Sequence, residues 1–198
     1  MSYSIDSLQE GCYPGTSVLI NKLDIRDEQV LAQVEADITK LRISQWELNP
    51  LADTFDFNHY KAIHAHLFSD LYNWAGQIRT VELSKKGTRF CSAAEIENRA
   101  ELIFTRLYQL NFLKSMEHSG FVEELTDFYC STNELHPFRE GNGRTQRLFL
   151  SQLTTNAGYT LNFSDMDGDL LMIATIQAAQ GVADLLKHLL GEAVKPQE

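Results

Sequence analysis

The chain has 198 residues, enough for one well-cored domain and short for two. Hydrophobic residues make up 43% and charged residues 22%, a globular balance that excludes a disordered chain. With 17 Lys and Arg against 27 Asp and Glu the formal charge is −10, which argues against wrapping nucleic acid, and no apolar run approaches the roughly 20 residues of a membrane span.

The opening Met-Ser-Tyr-Ser-Ile-Asp has neither a basic region nor an apolar one, so no secretory signal is expected. Cys12, Cys91 and Cys130 are odd in number and far apart, which fits neither a disulfide framework nor a cysteine-rich zinc site. A reducing, cytoplasmic setting is the expectation, with each cysteine a small half-buried hydrophobe.

Proline is scarce, and apolar residues recur at helical spacing. Leu31, Val34, Ile38 and Leu41 predict a first helix that ends before Pro50. Ile63, Leu67, Leu71 and Trp74 predict a second, with Asn58 as N-cap and Gly76 as its stop. The segment from Ile78 to Cys91 breaks the helical pattern. Val81 and Leu83, then Lys-Lys-Gly, then Thr88 and Phe90 suit a short β-hairpin, read as a connector or as an edge for an extended partner segment. Ser92-Ala-Ala-Glu95 reads as a capping box for a third helix bearing Ile96, Ala100, Ile103, Leu107 and Leu110.

A fourth helix carries Phe121, Leu125, Phe128 and Leu135. A fifth begins near Arg144, buries Leu148, Phe149 and Leu153, and stops at Gly158. A last one is expected over about 169–190, with residues 191–198 frayed. The Asp165-Met-Asp-Gly-Asp169 run fails calcium-loop spacing and reads as a polar turn capping that helix. The expected fold class is mainly α.

Chemistry concentrates in His136-Pro-Phe-Arg-Glu-Gly-Asn-Gly-Arg-Thr-Gln-Arg147, between the fourth and fifth helices. Gly141 and Gly143 bracket Asn142, where the backbone can turn its N–H groups toward one point. The following helix adds unpaired N-terminal donors and its positive dipole end. Arg144 and Arg147, three apart, share one helix face. This grouping suits a polyphosphate. Glu140, the single acid of the block, suits a Mg²⁺ held jointly with phosphate oxygens, and His136 is the group able to take a proton near neutral pH. Taken singly, each has a plainer reading: a capping histidine, a turn, a solvated arginine pair. A metal-dependent hydrolase built on His64, His66 and Glu140 is disfavoured, because His64 and His66 lie about 200° apart around a helix.

The block resembles the signature of the Fic family, His-x-Phe-x-(Asp/Glu)-Gly-Asn-Gly-Arg-x-x-Arg, at every defined position. The 71–79 stretch Leu-Tyr-Asn-Trp-Ala-Gly-Gln-Ile-Arg is similar to the family's approach to its flap hairpin, and Ala157-Gly-Tyr159 to its segment after the motif helix. The resemblance implies three regions: 1–53, a segment and helix packed on the core; 54–190, the Fic domain; 191–198, the tail. It implies transfer of AMP from ATP to a Tyr, Thr or Ser hydroxyl of a target protein. His136 would be the base and Glu140 the Mg²⁺ ligand. Backbone donors of Gly141 to Gly143, with Asn142, would stabilise the α-phosphate. Arg144 would contact the phosphate chain and Arg147 the γ-phosphate, while Phe138 would anchor the loop. The flap turn, Lys85, Lys86, Gly87 and Thr88, would register the target segment. Gln177 is the candidate for the adenine side.

Retention of Gly141, Gly143 and Arg144 favours AMP over phosphate or phosphocholine transfer. Many relatives restrain themselves with (Ser/Thr)-x-x-x-Glu-(Gly/Asn). Here Glu10-Gly11 has Asp6 in the Ser/Thr place, Ser7 is one residue too close, and Glu97-Asn98 has Ala93. The resemblance therefore implies a subclass inhibited by a separate small antitoxin that supplies a Glu to Arg147, with the ATPase subunits of type II topoisomerases, such as that of DNA gyrase, as targets. The other readings are a non-catalytic nucleotide- or protein-binding module and transfer of another phosphate-containing group.

Overall fold

A computed structural model describes residues 10–49, 54–85 and 88–197. Seven helices carry the described chain: α1 (Glu28–Leu48), α2 (Phe57–Phe68), α3 (Ile96–Gln109), α4 (His118–Leu135), α5 (Asn142–Asn156), α6 (Gly168–Ala179) and α7 (Asp184–Ala193). Two short antiparallel ribbons complete it. β1 (Ser84–Lys85) pairs with β2 (Thr88–Arg89), and β3 (Tyr159–Thr160) pairs with β4 (Lys195–Pro196).

The core is aromatic and centres on α5. Phe149 has its ring 5.3–5.7 Å from those of Phe55, His59, Tyr60, Phe104 and Phe128. Helices α2 and α4 flank α5, so the N-terminus of α5 emerges between them from the packed core. That placement is what the motif requires, since a site at the head of a packed helix is fixed by the whole core.

Several elements depart from the sequence reading. On α1 the buried positions are Leu31, Glu35, Thr39 and Trp46, whereas Leu41 is 59% exposed. The inward face is partly polar, so an apolar count centres it wrongly. Helix α2 is capped by Asp56, whose carboxylate accepts from His59 N at 2.7 Å, and not by Asn58. It ends at Phe68, and Leu71 is buried beyond it. Ser92 makes no capping bond within a box. Its hydroxyl donates to Glu82 at 3.0 Å, and the same Glu82 oxygen accepts from Ala93 N at 2.9 Å, so a carboxylate from the hairpin approach satisfies the helix entry. The expected last helix is two helices, α6 and α7, divided at Gly181 with φ +90°. The tail after Gly191 is not frayed through residue 197: Val194 is buried, β4 pairs with β3, and Gln197 N donates to Gly158 O at 3.0 Å. The 165–169 turn does cap α6, through Asp167.

Candidate active site

Helix α4 ends because His136 adopts a left-handed conformation (φ 42°, ψ 59°), which swings the chain across the bundle. Phe138 then dives into the core, fully buried, its ring stacked on Tyr60 at 5.8 Å and on His64 at 3.8 Å. The Asn142 side chain closes the loop. Its Oδ1 accepts from Phe138 N at 2.9 Å and its Nδ2 donates to Phe138 O at 2.8 Å. The amide is thus committed to the loop, and what Asn142 contributes at the cavity is the N–H at the head of α5. Gly141 sits at φ +80°, and a Cβ there would lie 2.3 Å from the Phe68 ring, so both conformation and space require glycine.

His64 supports the loop from below. Gly76 N donates to its Nδ1 at 2.8 Å, so Nε2 carries the proton and donates to Glu140 O at 3.0 Å. Burial, reinforced by the charge of Arg144, pulls its pKa down to about 3 against the opposing bond to Glu140, and the ring is neutral. His66 faces elsewhere, bonded to Arg42 O at 2.9 Å, in keeping with the separation expected of the two histidines.

Above the loop runs the hairpin. Arg79, 4% exposed, donates from Nε to His136 O at 2.8 Å, from Nη1 to Val81 O at 2.7 Å and from Nη2 to Cys91 O at 2.5 Å. One guanidinium thereby ties both legs of the hairpin to the motif. Phe90 lies flat on the His136 ring, centroids 3.7 Å apart and planes within 9°. Nδ1–H of His136 donates to Asn133 O at 3.3 Å, a bond that leaves Nε2 as the basic nitrogen.

These elements open onto a cavity of about 570 Å³, within the range of small-molecule sites. His136, Glu140, Gly141, Asn142, Gly143, Arg144 and Arg147 all line it. Among the described residues no side chain caps α5, so the N–H groups of its first turn and its positive dipole end are turned to the cavity. Burial and then the like charge of Arg144 lower the pKa of Arg147 against the opposing influence of Tyr129. Among the described residues no carboxylate forms an ion pair with Arg147. A Cβ on Gly143 would sit 3.1 Å from Arg147 Nη1, so the glycine gives that guanidinium room to lie across the turn.

The opposite wall is largely apolar: Phe163, Leu171, Met172, Ile176 and Ala179, with Thr175 hydrogen-bonded to Tyr129 at 2.9 Å. Gln177 is exposed and is not among the lining residues, although its neighbours Thr175 and Ile176 are. In the hairpin, Lys85 pairs with Thr88 across the ribbon, while Lys86 and Gly87 lie outside the described residues. Phe90 and Arg79 were missed as site residues by the sequence reading, and His64 was weighed there only as a metal ligand and set aside. Their only signal was membership of the hairpin approach or of an ordinary helix pattern.

Glu140 fits a cation-binding role. Its Oε1 accepts from Gly141 N at 2.8 Å and lies 3.5 Å from Arg144 Nη2, and its second oxygen makes neither contact. Among the described residues no group of three His, Cys, Asp or Glu could hold a metal, so a cation here would depend on Glu140 together with phosphate oxygens and water.

Residues 54–154 match the model of the Fic/DOC family. The chain belongs to that family. It is 37% identical over 182 residues to the probable protein adenylyltransferase Fic of Salmonella typhimurium, spanning 92% of this chain and 90% of that protein. It is 36% identical over the same length to the probable protein adenylyltransferase Fic of Escherichia coli, again 92% of this chain and 90% of that one. Among solved structures, the BepC effector protein of Bartonella tribocorum with bound AMPPNP superposes with a TM-score of 0.92 at 28% identity, over 98% of this chain and all of that one. The Fic resemblance and the mainly helical fold with a hairpin flap are thereby established.

Proposed function

We propose that this Fic protein is a protein adenylyltransferase that moves AMP from ATP to a hydroxyl side chain of a target protein. The observation that carries this reading is a cavity in which a histidine base, a carboxylate, an uncapped helix N-terminus and two arginines face an apolar wall. The relatives' activity and the AMPPNP bound to a close structural neighbour support it.

In the proposed reaction, Nε2 of His136 takes the proton of the target hydroxyl. That oxygen attacks the α-phosphorus, a new P–O bond forms, the bond to the bridging α,β-oxygen breaks, and pyrophosphate departs. The N–H groups at the head of α5 hold the charge that grows on the α-phosphate. Arg144 and Arg147 bind the outer phosphates, and the apolar wall holds the base. Glu140 would hold Mg²⁺, which would supply neutralisation of phosphate charge. The Phe90 ring fixes the plane of the imidazole, so the base meets the hydroxyl in one orientation.

The absence of a described carboxylate on Arg147 supports restraint by a separate small antitoxin that supplies a glutamate there. Glu10 lies in an exposed turn before Gly11 at φ +79°, not on a helix, which supports the same reading, while Asp6 and Ser7 lie outside the described residues. The flap edge would register the target segment, and an ATPase subunit of a type II topoisomerase, such as that of DNA gyrase, is the proposed target. A cytoplasmic setting accords with these partners. Among the described residues no helix is long and apolar enough to cross a membrane.

The test is incubation with Mg²⁺ and a bacterial extract, using ATP labelled on the α- or the γ-phosphate. Protein labelling from the α-label alone, reduced about 10²–10⁴-fold in His136→Ala, is the expected result. Labelling from the γ-phosphate would replace AMP transfer by phosphate transfer. Nucleotide binding without labelling by purified candidate targets would favour a binding module.

A further inference from the structure

Arg144 is held from outside the motif. Helix α1 precedes residue 54, where the family match begins, yet it delivers Glu35 to this arginine: Oε1 of Glu35 accepts from Arg144 Nη2. The other carboxylate oxygen accepts from the Tyr72 hydroxyl. Burial, followed by the charge of Glu35, pushes the Tyr72 phenol up, so it stays protonated and keeps donating. Four residues along α1, Thr39 Oγ1 accepts from Arg144 Nη1 at 3.3 Å and itself donates to Glu35 O at 2.7 Å. Phe68 closes the remaining side, with Arg144 Cζ 4.8 Å above its ring.

Glu35 is 8% exposed and Tyr72 1%. Turning a carboxylate into the protein is costly unless its oxygens are satisfied, and replacing such a group by a hydrophobe is often neutral or stabilising. Stability alone therefore gives α1 little reason to carry Glu35 inward. The competing partner of Arg144 is Glu140, at 3.5 Å and four residues earlier. Without Glu35, Arg144 would close on that carboxylate and turn its donors away from the phosphates.

We infer that Glu35, steadied by Tyr72, is a positioning residue for Arg144. It draws the guanidinium toward α1, keeps it from pairing tightly with Glu140, and leaves the N–H groups not used by Glu35, Thr39 and Glu140 for a nucleotide phosphate. The inference rests on the nucleotide reading of the cavity and extends the working site to a helix outside the motif-bearing region.

A double-mutant cycle on nucleotide binding tests it, with AMPPNP titrated calorimetrically into the full chain in Mg²⁺. Glu35→Gln should weaken binding about tenfold, the effect expected of one hydrogen bond to a charged group. In an Arg144→Ala background the same change should cost less than about twofold, because its route to the phosphates is gone. Tyr72→Phe keeps the fold-forming ring and should weaken binding about threefold. Equal losses in both backgrounds, or no loss in Glu35→Gln and Tyr72→Phe, would overturn the positioning role. Failure of AMP transfer alongside the expected binding pattern would overturn the activity and leave the positioning role standing.

Discussion

The motif loop and the flap are neighbours held in opposite ways. The loop is fixed along its length by buried side chains: Phe138 between two rings, Asn142 bonded to both sides of one peptide residue, Gly141 pressed on Phe68, and His64 under Glu140 O. The flap is fixed at its base, by Arg79, by Glu82, by the bond from Cys91 N to Glu134 O at 2.9 Å and by the stack of Phe90 on His136, and its described tip is a ribbon of two residue pairs. Groups that must meet a phosphorus atom within tenths of an ångström belong on the first kind of support, and an edge that is to accept varied chain segments, as proposed for the flap, belongs on the second.

Substitutions can break this contrast in order of size. Phe138→Ala removes the loop's anchor and should cost about 3–5 kcal/mol in urea unfolding, with nucleotide binding lost in the protein that remains folded. An unaltered midpoint would show that the loop is held elsewhere.

His64 sharpens the contrast through pH. Its folded pKa of about 3 lies below the ordinary 6.5, so the unfolded chain binds the extra proton. Its contribution to stability is complete above pH 6.5 and is lost as pH falls toward 3. Between pH 7 and 5 that loss is about 2 kcal/mol. His64→Gln can donate to Glu140 O and accept from Gly76 N without titrating, so its stability should fall less over the same interval by that amount. Parallel pH profiles for the two proteins would count against a neutral His64.

On the flap side, Glu82→Ala removes an exposed carboxylate that caps the entry to α3. A loss of about 0.5–1 kcal/mol is expected, with faster amide exchange at Ala93 and unchanged AMPPNP affinity. A large loss of affinity would mean that the flap base and the loop are one mechanical unit.

The motif was legible because glycine, asparagine, histidine and arginine at fixed spacing demand a turn at a helix head, and local chemistry suffices to see it. Helices α3 and α4 were legible because their buried faces are mostly apolar, and α5 because Leu148, Phe149 and Leu153 recur at helical spacing after the motif. Glu35 was not, because the inward face of α1 is set by Arg144, more than a hundred residues away, and hydrophobic periodicity points to Leu41 on the solvent side. The capping box at Ser92 failed for a similar reason: Glu82, ten residues earlier, takes the Ser92 hydroxyl and the Ala93 N–H. The division of α6 from α7 turned on Gly181, a residue that a helical pattern tolerates until packing decides its φ. On α6, the positions at the cavity are chosen by the rotation of the helix on the core, which places Thr175 and Ile176 there and Gln177 in solvent.

Arg79 has a consequence for the thermodynamics of association. By bonding Val81 O and Cys91 O at once, it joins two points ten residues apart with one buried cation and so does non-covalently what a cross-link would do. Most of the loop-closure entropy of the ribbon is thus lost during folding, before any partner arrives. A strand added to this edge has to order its own backbone but not the base of the receiving one, so each main-chain hydrogen bond it gains is offset by a smaller entropic cost. The edge is short, and under the proposed docking role that preorganisation would let a short edge hold a passing segment for the length of one chemical step.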